Sequence, residues 1–175
     1  MASIITATTT SGLTQSADNS GVLQLASGTG NLVTVPSVTG TAMVSGNMPA
    51  FSAYKSVAQT LSAATFTKIT FDVEEYDTNN NFASSTFTPT VAGYYLVVGT
   101  VNNGSGTQTV STIYKNGSIY KAGTNGGAFI AIATAIVYCN GTTDYIELYG
   151  YLAIGGATGN AIEAPYFQAC MIRGA

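Results

Sequence analysis

The sequence predicts an all-β protein, a jelly-roll β-sandwich preceded by an extended N-terminal arm with short strands. Apolar residues come in short runs rich in β-branched and aromatic side chains, and Gly, Asn, Thr and Ser separate these runs. No segment shows the helical repeat of apolar residues that an amphipathic helix requires. We therefore expect strands joined by turns, at the spacing of a sandwich or jelly roll.

Residues 1–48 differ in composition from the rest of the chain. They are dominated by Ser, Thr, Gly and small apolar residues, and Gly interrupts each of their short alternating fragments. None of these fragments is long enough to bury a core by itself. We therefore predict an N-terminal arm over residues 1–48, held in place by other chains, and a jelly-roll domain over residues 49–175.

The strands of the second part begin where the composition changes, at "PAFSAYKS". The approximate predicted strands are 49–56, 65–72, 82–88, 93–102, 109–115, 128–139, 144–152 and 164–173. The segments "YKNGSIY" and "YCNGTTDYIELY" each place Asn-Gly between strand-like runs. Both pairs predict type I′ hairpins, because Asn and Gly tolerate the positive φ that the two central positions need.

The predicted strand 144–152 alternates between aliphatic and tyrosine-rich faces. Its aliphatic residues are Ile146, Leu148 and Leu152, and its other face carries Tyr145, Glu147, Tyr149 and Tyr151. Successive side chains of a strand point to opposite sides, so we expect the aliphatic face in the core. The tyrosine face is suited to solvent, a sugar or another subunit, since tyrosine combines a large contact area with a polar tip.

The predicted strand 128–139 is apolar on both faces. One face carries Ile130, Ile132 and Ile136, and the other carries Ala131, Ala133 and Ala135. An antiparallel strand normally has one polar face, so this strand requires a second cover. We expect the isoleucines in the core and the alanines against another subunit about a symmetry axis. The alternative is a central strand beneath a loop.

The composition narrows the range of partners. Charged residues make up only 7% of the chain, which is 46% hydrophobic and has a net charge of −3. So few charges indicate that other subunits cover much of the surface. The five basic residues are scattered, so we expect no nucleic-acid partner. No signal-peptide pattern is visible, and the longest apolar run, 128–139, is shorter than the ~20 residues of a membrane span, so we expect no membrane partner.

Several motifs of residues 49–175 occur in the order found in a known family. They are "PAFSAYKS", "FTKITFDVEEYDTNNNF", "TFTPTVAGYYLVVGTV" and "APYFQACMIRG". The matching positions are Pro49-Ala50-Phe51, Asp77 to Phe82, Phe87-Thr88-Pro89, Gly93-Tyr94-Tyr95 and Tyr166-Phe167. These segments resemble the globular head of the first complement component, a family that shares the tumour-necrosis-factor-like jelly roll.

The resemblance implies a ten-stranded sandwich and a tight homotrimer. Together with the faces described above, it predicts a trimer interface formed by Ala131, Ala133, Ala135, Tyr145, Tyr149 and Tyr151. Two features depart from the family pattern: the usual Gly of the closing strand is replaced in Phe167-Gln168-Ala169, and residues 1–48 contain no collagen-like repeat. Residues 1–48 are similar instead to N-terminal modules of tailed-bacteriophage virion proteins, in which the pattern "SGxLxL…VTVPSxTGT" recurs.

The residues needed for common catalytic and metal sites are mostly missing. The chain has no His, which excludes a Ser-His-Asp triad, a Cys-His pair and the commonest metal ligand. The stretch "DVEEYDTNNNF" begins like an EF-hand at Asp77, but Phe82 and Thr88 replace the required Gly and Glu. A looser calcium site remains the alternative to a solvated loop.

Carboxylates close in sequence also occur in glycoside hydrolases, but this chain lacks the Trp typical of their clefts. We predict no enzyme activity, no catalytic or metal-binding residues and no cofactor.

The two thiols are interpreted as structural. Cys139 and Cys170 lie within or beside apolar strand-like runs, so we expect both to be free and buried. A disulfide between them would need adjacent Cβ atoms, which the sequence cannot show.

Two functional hypotheses follow. The first is a homotrimeric capsid decoration (cement) protein of a tailed bacteriophage virion, assembled in the bacterial cytoplasm. Its residues 1–48 would bind the major capsid protein or other virion proteins.

The alternative is a tail-fibre or head-fibre tip, an adhesion knob that recognises a host surface glycan or protein through exposed loops. The contact residues expected under this alternative are Tyr76, Asn79, Asn80, Asn81, Asn103 and Asn125. A non-viral trimeric ligand is a third, less favoured interpretation.

Overall fold

A computed structural model describes the fold of this chain. The described residues are 23–26, 32–35, 43, 45–104, 108–123, 129–160, 162 and 164–175. The chain divides into two units, Met1–Thr41 and Ala42–Ala175. In the first unit, β1 (Leu23–Ala26) and β2 (Leu32–Val35) pair as an antiparallel two-stranded sheet. The anchoring role expected of residues 1–48 stays a prediction, because most of them lie outside the described residues.

The second unit is built from strands, which confirms the all-β prediction. Its described residues form one short 3-10 helix, Ser45–Asn47, and thirteen strands. The strands are β3 (Ala50–Tyr54), β4 (Thr60–Leu61), β5 (Thr67–Lys68), β6 (Val73–Asp77), β7 (Phe82–Ala83), β8 (Thr86–Phe87), β9 (Gly93–Asn102), β10 (Thr109–Lys115), β11 (Ser118–Ala122), β12 (Ile130–Cys139), β13 (Ile146–Leu152), β14 (Gly156–Ala157) and β15 (Tyr166–Gly174). Within the described part of the chain, no helix is long and apolar enough to cross a membrane.

Two antiparallel sheets form the sandwich. The five-stranded sheet has the order β12-β9-β15-β3-β6. The six-stranded sheet has the order β11-β10-β13-β8-β7, with β5 also paired to β13. A separate two-stranded ribbon joins β14 to β4. Large apolar side chains from both sheets fill the space between them as one cluster.

The core contains the residues that the alternation of strand 144–152 predicts. Ile146, Leu148 and Leu152 on β13 are fully buried. From the five-stranded sheet, the ring of Phe51 enters the same cluster and stacks on Phe82 with ring centroids 4.4 Å apart. Such offset contacts between aromatic rings add to the stability that burial alone provides.

The first predicted hairpin is confirmed. Asn116 and Gly117 have φ values of 53° and 76°, and they join β10 to β11 with Lys115 opposite Ser118. This is the geometry that a two-residue type I′ turn requires. The strand β11 that follows was absent from the predicted set, because its five residues are all exposed and carry no alternating apolar pattern.

The second predicted hairpin is wrong. β12 pairs with β9 and β13 pairs with β10, so the segment containing Asn140 and Gly141 crosses from one sheet to the other. Gly141 does adopt a positive φ of 73°. The side-chain oxygen of Asn140 accepts hydrogen bonds from the backbone N–H groups of Thr142, Thr143 and Asp144, at 2.9, 2.9 and 3.0 Å. Asn serves here as a local cap of a loop, which is another common use of this residue.

The acidic stretch interpreted as a loop contains a strand. β6 pairs with β3, with Phe51 opposite Asp77 and Tyr54 opposite Val73, and a bulge lies between these pairs. The carboxylate of Asp77 accepts hydrogen bonds from the backbone N–H groups of Asn79 (3.2 Å) and Phe82 (2.6 Å). Asp77 therefore shapes the turn after β6.

Candidate functional site

The outward face of the five-stranded sheet exposes several large apolar side chains, and β12 forms the edge of this sheet. On this strand every second residue is buried. Ala131 and Ala133 are fully buried, whereas the exposed fractions of Ile132 and Ile136 are 47% and 55%. The expectation that the isoleucines face the core is therefore wrong, and the two faces of β12 are reversed.

The reason for this reversal lies in the opposite sheet. Ala133 pairs with Gly99 on β9, and a Cβ atom placed on Gly99 would lie 2.2 Å from Leu148 Cδ1. The large side chains of β13 thus already occupy the space beneath β12 and β9. Opposite Leu148 only small residues such as Gly99 and Ala133 fit, because protein interiors are close-packed.

The predicted interface set does not form one surface. Ala131, Ala133 and Ala135 lie inside the sandwich, so their assignment to a subunit contact is wrong. Tyr145, Tyr149 and Tyr151 are partly exposed and lie on β13 or beside it, in the six-stranded sheet. The structure therefore separates the alanines from the tyrosines, and the tyrosine assignment has no support from a shared patch.

The residues that replace this set form a mainly apolar outward surface, which we call the aliphatic face and which Thr134, opposite Val98, interrupts on β12. Cross-strand pairs connect it: Ile136 lies opposite Leu96, and Leu96 lies opposite Cys170. Tyr138 and Tyr94 close one end, with ring centroids 5.4 Å apart. The aliphatic face comprises Tyr94, Leu96, Val98, Ile130, Ile132, Ile136, Tyr138, Gln168 and Cys170.

An open depression of about 160 Å³ lies on this face, lined by Tyr76, Leu96, Val98, Gln168, Ala169 and Cys170. Cys170 is a free, exposed cysteine, so the prediction of a buried thiol is wrong there. Cys139 is free and buried as expected, and burial raises the pKa of its thiol to about 11. The buried Cys139 thiol therefore does not resemble an activated nucleophile.

Side chains from the neighbouring sheet cover part of the outer edge of β12. The Tyr120 hydroxyl donates a hydrogen bond to the carbonyl of Ile136 (3.2 Å), and Lys115 Nζ donates one to the carbonyl of Tyr138 (2.7 Å). Lys115 also pairs with Asp144 at 2.9 Å. An exposed edge strand invites pairing with other chains. Since these carbonyls are occupied, β12 offers its face for association in preference to its edge.

Hydrogen bonds explain the carboxylates near the opposite edge as parts of the fold. Asp72 accepts hydrogen bonds from the backbone N–H and the hydroxyl of Ser56, and the hydroxyl contact is the main reason that the pKa of Asp72 lies below its usual value. Glu75 accepts a hydrogen bond from Ser52 Oγ at 2.6 Å. In the described residues, no three acidic or thiol side chains gather as a metal-binding group.

The loop residues expected to contact a glycan are only partly on the surface. Asn81 and Asn103 are buried, so they are wrong as exposed contacts. Tyr76 is exposed but belongs to β6, and its ring lines the depression on the aliphatic face. Asn79 is partly buried and donates its amide to the carbonyl of Gly46, whereas Asn80 is exposed. Asn125 lies outside the described residues.

Comparison with solved structures identifies the architecture. The chain is similar to murine APRIL at pH 8.0, with a TM-score of 0.57 and 9% identity over 71% of this chain and 99% of that one. The globular domain of the zebrafish complement 1qA protein gives a TM-score of 0.53 and 18% identity, covering 73% and 98% of the two chains. Eiger TNF from S. frugiperda gives a TM-score of 0.54 and 9% identity, covering 73% of this chain and 93% of that one.

The fold is the tumour-necrosis-factor-like jelly roll. This agrees with the resemblance identified in residues 49–175 and confirms the predicted fold class. No protein-family model matches the chain, and no curated protein matches it in sequence. At these low identities the similarity establishes the fold alone, and function has to be argued from the surfaces.

Proposed function

We propose that this protein is a structural protein that assembles as a homotrimer through the aliphatic face. The observation that carries the proposal is the exposure of Ile132 and Ile136 beside Leu96 on a sheet with a complete core on its other side. Soluble monomers rarely expose large contiguous apolar patches. Burying this face stabilises the assembled state, since each Å² of apolar area removed from water contributes about 25 cal/mol.

A closed ring of three copies suits this surface. In a closed ring each copy contributes two complementary patches, one to each neighbour, and none is left open for further growth. The family that residues 49–175 resemble assembles in this way, and this resemblance favours three copies. In such a ring the depression beside Leu96 and Cys170 would receive an apolar side chain from the neighbouring copy.

The finer proposal is that the trimer decorates the capsid of a tailed bacteriophage. It is supported by the similarity of residues 1–48 to phage virion modules and by the low charge of the chain. Residues 1–48 would bind the major capsid protein or another virion protein, and the jelly roll would form a knob. Binding that occurs only in the assembled state stabilises the shell by mass action.

A fibre tip that recognises a host surface is the second candidate function. An observation that favours it is the row of partly exposed aromatic side chains on the six-stranded sheet, including Tyr149 and Tyr151. Tyrosine-rich surfaces are common at recognition sites.

Sedimentation equilibrium of the full chain tests the trimer. We expect a mass of three times 17.9 kDa. Ile136→Lys should give a folded monomer, because three lysines would then be desolvated at the interface. Ile154→Lys is the matched control: Ile154 is exposed and lies between β13 and β14, so this variant should stay trimeric. A trimer of normal stability for Ile136→Lys would place the interface elsewhere.

Deletion of residues 2–41 tests the virion role separately. The shortened protein should remain trimeric but disappear from virions, as measured by quantitative mass spectrometry of purified particles. Full occupancy by the shortened protein would contradict anchoring through the arm. The copy number of the full chain separates the two candidates, since hundreds of copies per particle indicate decoration and a handful indicates a fibre.

A further inference from the structure

The outward face of the six-stranded sheet carries a cluster of four aromatic rings, which we call the aromatic platform: Phe66, Tyr114, Tyr149 and Tyr151. Tyr114 and Tyr149 stack with ring centroids 3.8 Å apart and planes at 20°. Phe66 connects this stack to Tyr151, at 6.3 Å from Tyr114 and 5.2 Å from Tyr151. Phe66 is exposed, and the three tyrosines are partly exposed. The rings are thus held together at the surface instead of in the core.

The backbone fixes the position of these rings. Tyr149 lies opposite Thr112 on β10 and opposite Lys68 on β5, and Tyr151 lies opposite Val110. Because the alternate residues of β13 are locked in the core, its tyrosines can point only outward. The aromatic platform is therefore preorganised, which lowers the entropy lost when a ligand binds.

An ion pair lies beside Tyr149 on the platform. Lys68 Nζ pairs with Glu147 Oε1 at 2.7 Å and donates a hydrogen bond to Thr86 Oγ1 at 2.6 Å. Glu147 Oε2 receives a contact from the Tyr149 hydroxyl at 3.5 Å, the limit of a hydrogen bond, so it retains capacity to accept from another donor. Burial raises the pKa of both Tyr114 and Tyr149, so these phenols stay protonated.

One buried polar atom lies under the same face. Thr112 is fully buried and lies opposite Tyr149, and its Oγ1 atom has no hydrogen-bond partner in the described part of the chain. Buried hydroxyls are almost always hydrogen-bonded.

We infer that the aromatic platform binds a neutral carbohydrate. A pyranose ring has an apolar C–H face, which packs on an aromatic ring, and a rim of hydroxyls, which donate to a carboxylate and accept from a phenol or an ammonium group. Rings together with a few convergent polar groups are the usual composition of a small-ligand site. The charges of Lys68 and Glu147 cancel within 2.7 Å, so the surface offers no net charge to an ionic ligand.

This chemistry distinguishes a sugar from the other ligands that stack on aromatic rings. Single-stranded nucleic acid also needs a positively charged groove along its backbone, and the basic residue beside the rings, Lys68, is already paired. The side chains beside the rings are mixed in character. Lys68, Thr86 and Glu147 are polar, whereas Val110 lies opposite Tyr151 and Ile119 lies opposite Tyr114. The polar groups supply the hydrogen-bonding capacity that a purely apolar protein contact does not need.

Binding to immobilised neutral polysaccharides tests the inference, with the full chain as analyte and α-glucan, β-glucan, mannan and xylan as probes. Heparin serves as the ionic comparator. We expect binding to at least one neutral polymer that is unchanged between low and high salt, because salt screens only charge interactions. Tyr151→Ala and Phe66→Ala should each weaken it about tenfold, the value of one aromatic contact.

Phe129→Ala is the matched control, since Phe129 is an exposed aromatic residue just before β12, outside the platform. It should bind like the parent chain, and thermal unfolding should show that all three variants are folded. Binding to heparin alone, or parental binding by Tyr151→Ala and Phe66→Ala, would overturn the inference. A different result would be that no neutral polymer binds and that the Tyr151→Ala and Phe66→Ala proteins are missing from purified virions. The platform would then contact a protein, and the inference would be wrong. The inference is independent of the trimer, whose mass is measured separately.

Discussion

The two sheets of the sandwich present outward faces of different chemistry. The aliphatic face of the five-stranded sheet carries isoleucines and a leucine, with Tyr94 and Tyr138 at one end. The aromatic platform of the six-stranded sheet carries Phe66, three tyrosines and a neutralised ion pair. Aliphatic side chains gain only by being removed from water, so their face suits permanent burial between copies. Tyrosines combine apolar contact with hydrogen bonding, so their face suits a ligand that comes and goes.

The two faces also differ in how the core constrains them. β13 puts its large residues inside and β12 puts its small ones inside. The space between the sheets is limited, so large residues on one side require small residues on the other. The isoleucines of β12 therefore lie on the surface, where the proposed trimer would cover them.

The largest expected effect comes from lysine on opposite faces of β12. Ala133→Lys should lower the free energy of unfolding by more than about 4 kcal/mol and prevent folding, because it buries a charge without a partner. Ile132→Lys should leave a folded monomer, because its side chain reaches water once the copies separate. Circular dichroism and sedimentation distinguish the two results. A folded monomer from Ala133→Lys would mean that the alanine face is the interface after all.

A smaller effect tests the size matching between the sheets. Gly99→Ala should cost about 1–3 kcal/mol of stability, since its Cβ would overlap Leu148. Leu148→Ala alone should cost about 2–5 kcal/mol through the cavity that it leaves. The double variant should be more stable than the sum of the two losses predicts, since the new methyl group fills part of that cavity. Urea unfolding measures the free energy of unfolding of both single variants and of the double variant. If the two single losses simply add in the double variant, Gly99 and Leu148 are not matched in size.

The smallest expected effect concerns the floor of the aromatic platform. Thr112→Val should raise the free energy of unfolding by about 1 kcal/mol, because it keeps the side-chain shape and removes a buried hydroxyl that has no partner among the described residues. The adjacent Ser111→Ala is the control: Ser111 Oγ donates a hydrogen bond to the carbonyl of Gly99 at 2.9 Å, so losing it should destabilise the fold by about 1 kcal/mol. Equal losses for both variants would indicate that Thr112 has a partner in solution.

Local patterns identified much of the fold where one physical factor acted alone. The alternation of strand 144–152 predicted its buried residues correctly, and Asn116-Gly117 predicted a hairpin with the observed turn. Asn140-Gly141 also predicted a hairpin, but this prediction was wrong. A positive φ at Gly141 serves equally well in a loop that crosses between sheets. The exposed strand β11 had no apolar pattern by which it could be found.

Patterns along the sequence predicted less of the candidate site than of the fold. The doubly apolar character of strand 128–139 correctly marked it as unusual, but the choice of its buried face was wrong. The aromatic platform joins Phe66 to Tyr114 and Tyr149 from three separate segments, and no local pattern connects them.

The sequence by itself determined the all-β class, the jelly-roll resemblance of residues 49–175 and the presence of more apolar surface than one core needs. These properties depend on residue type and spacing along the chain. Only the tertiary structure decided that Ala133 faces inward and Ile132 outward, and that Tyr149 and Tyr151 lie on the other sheet. That choice depends on the volume between two sheets, which residues far apart in the chain fill together.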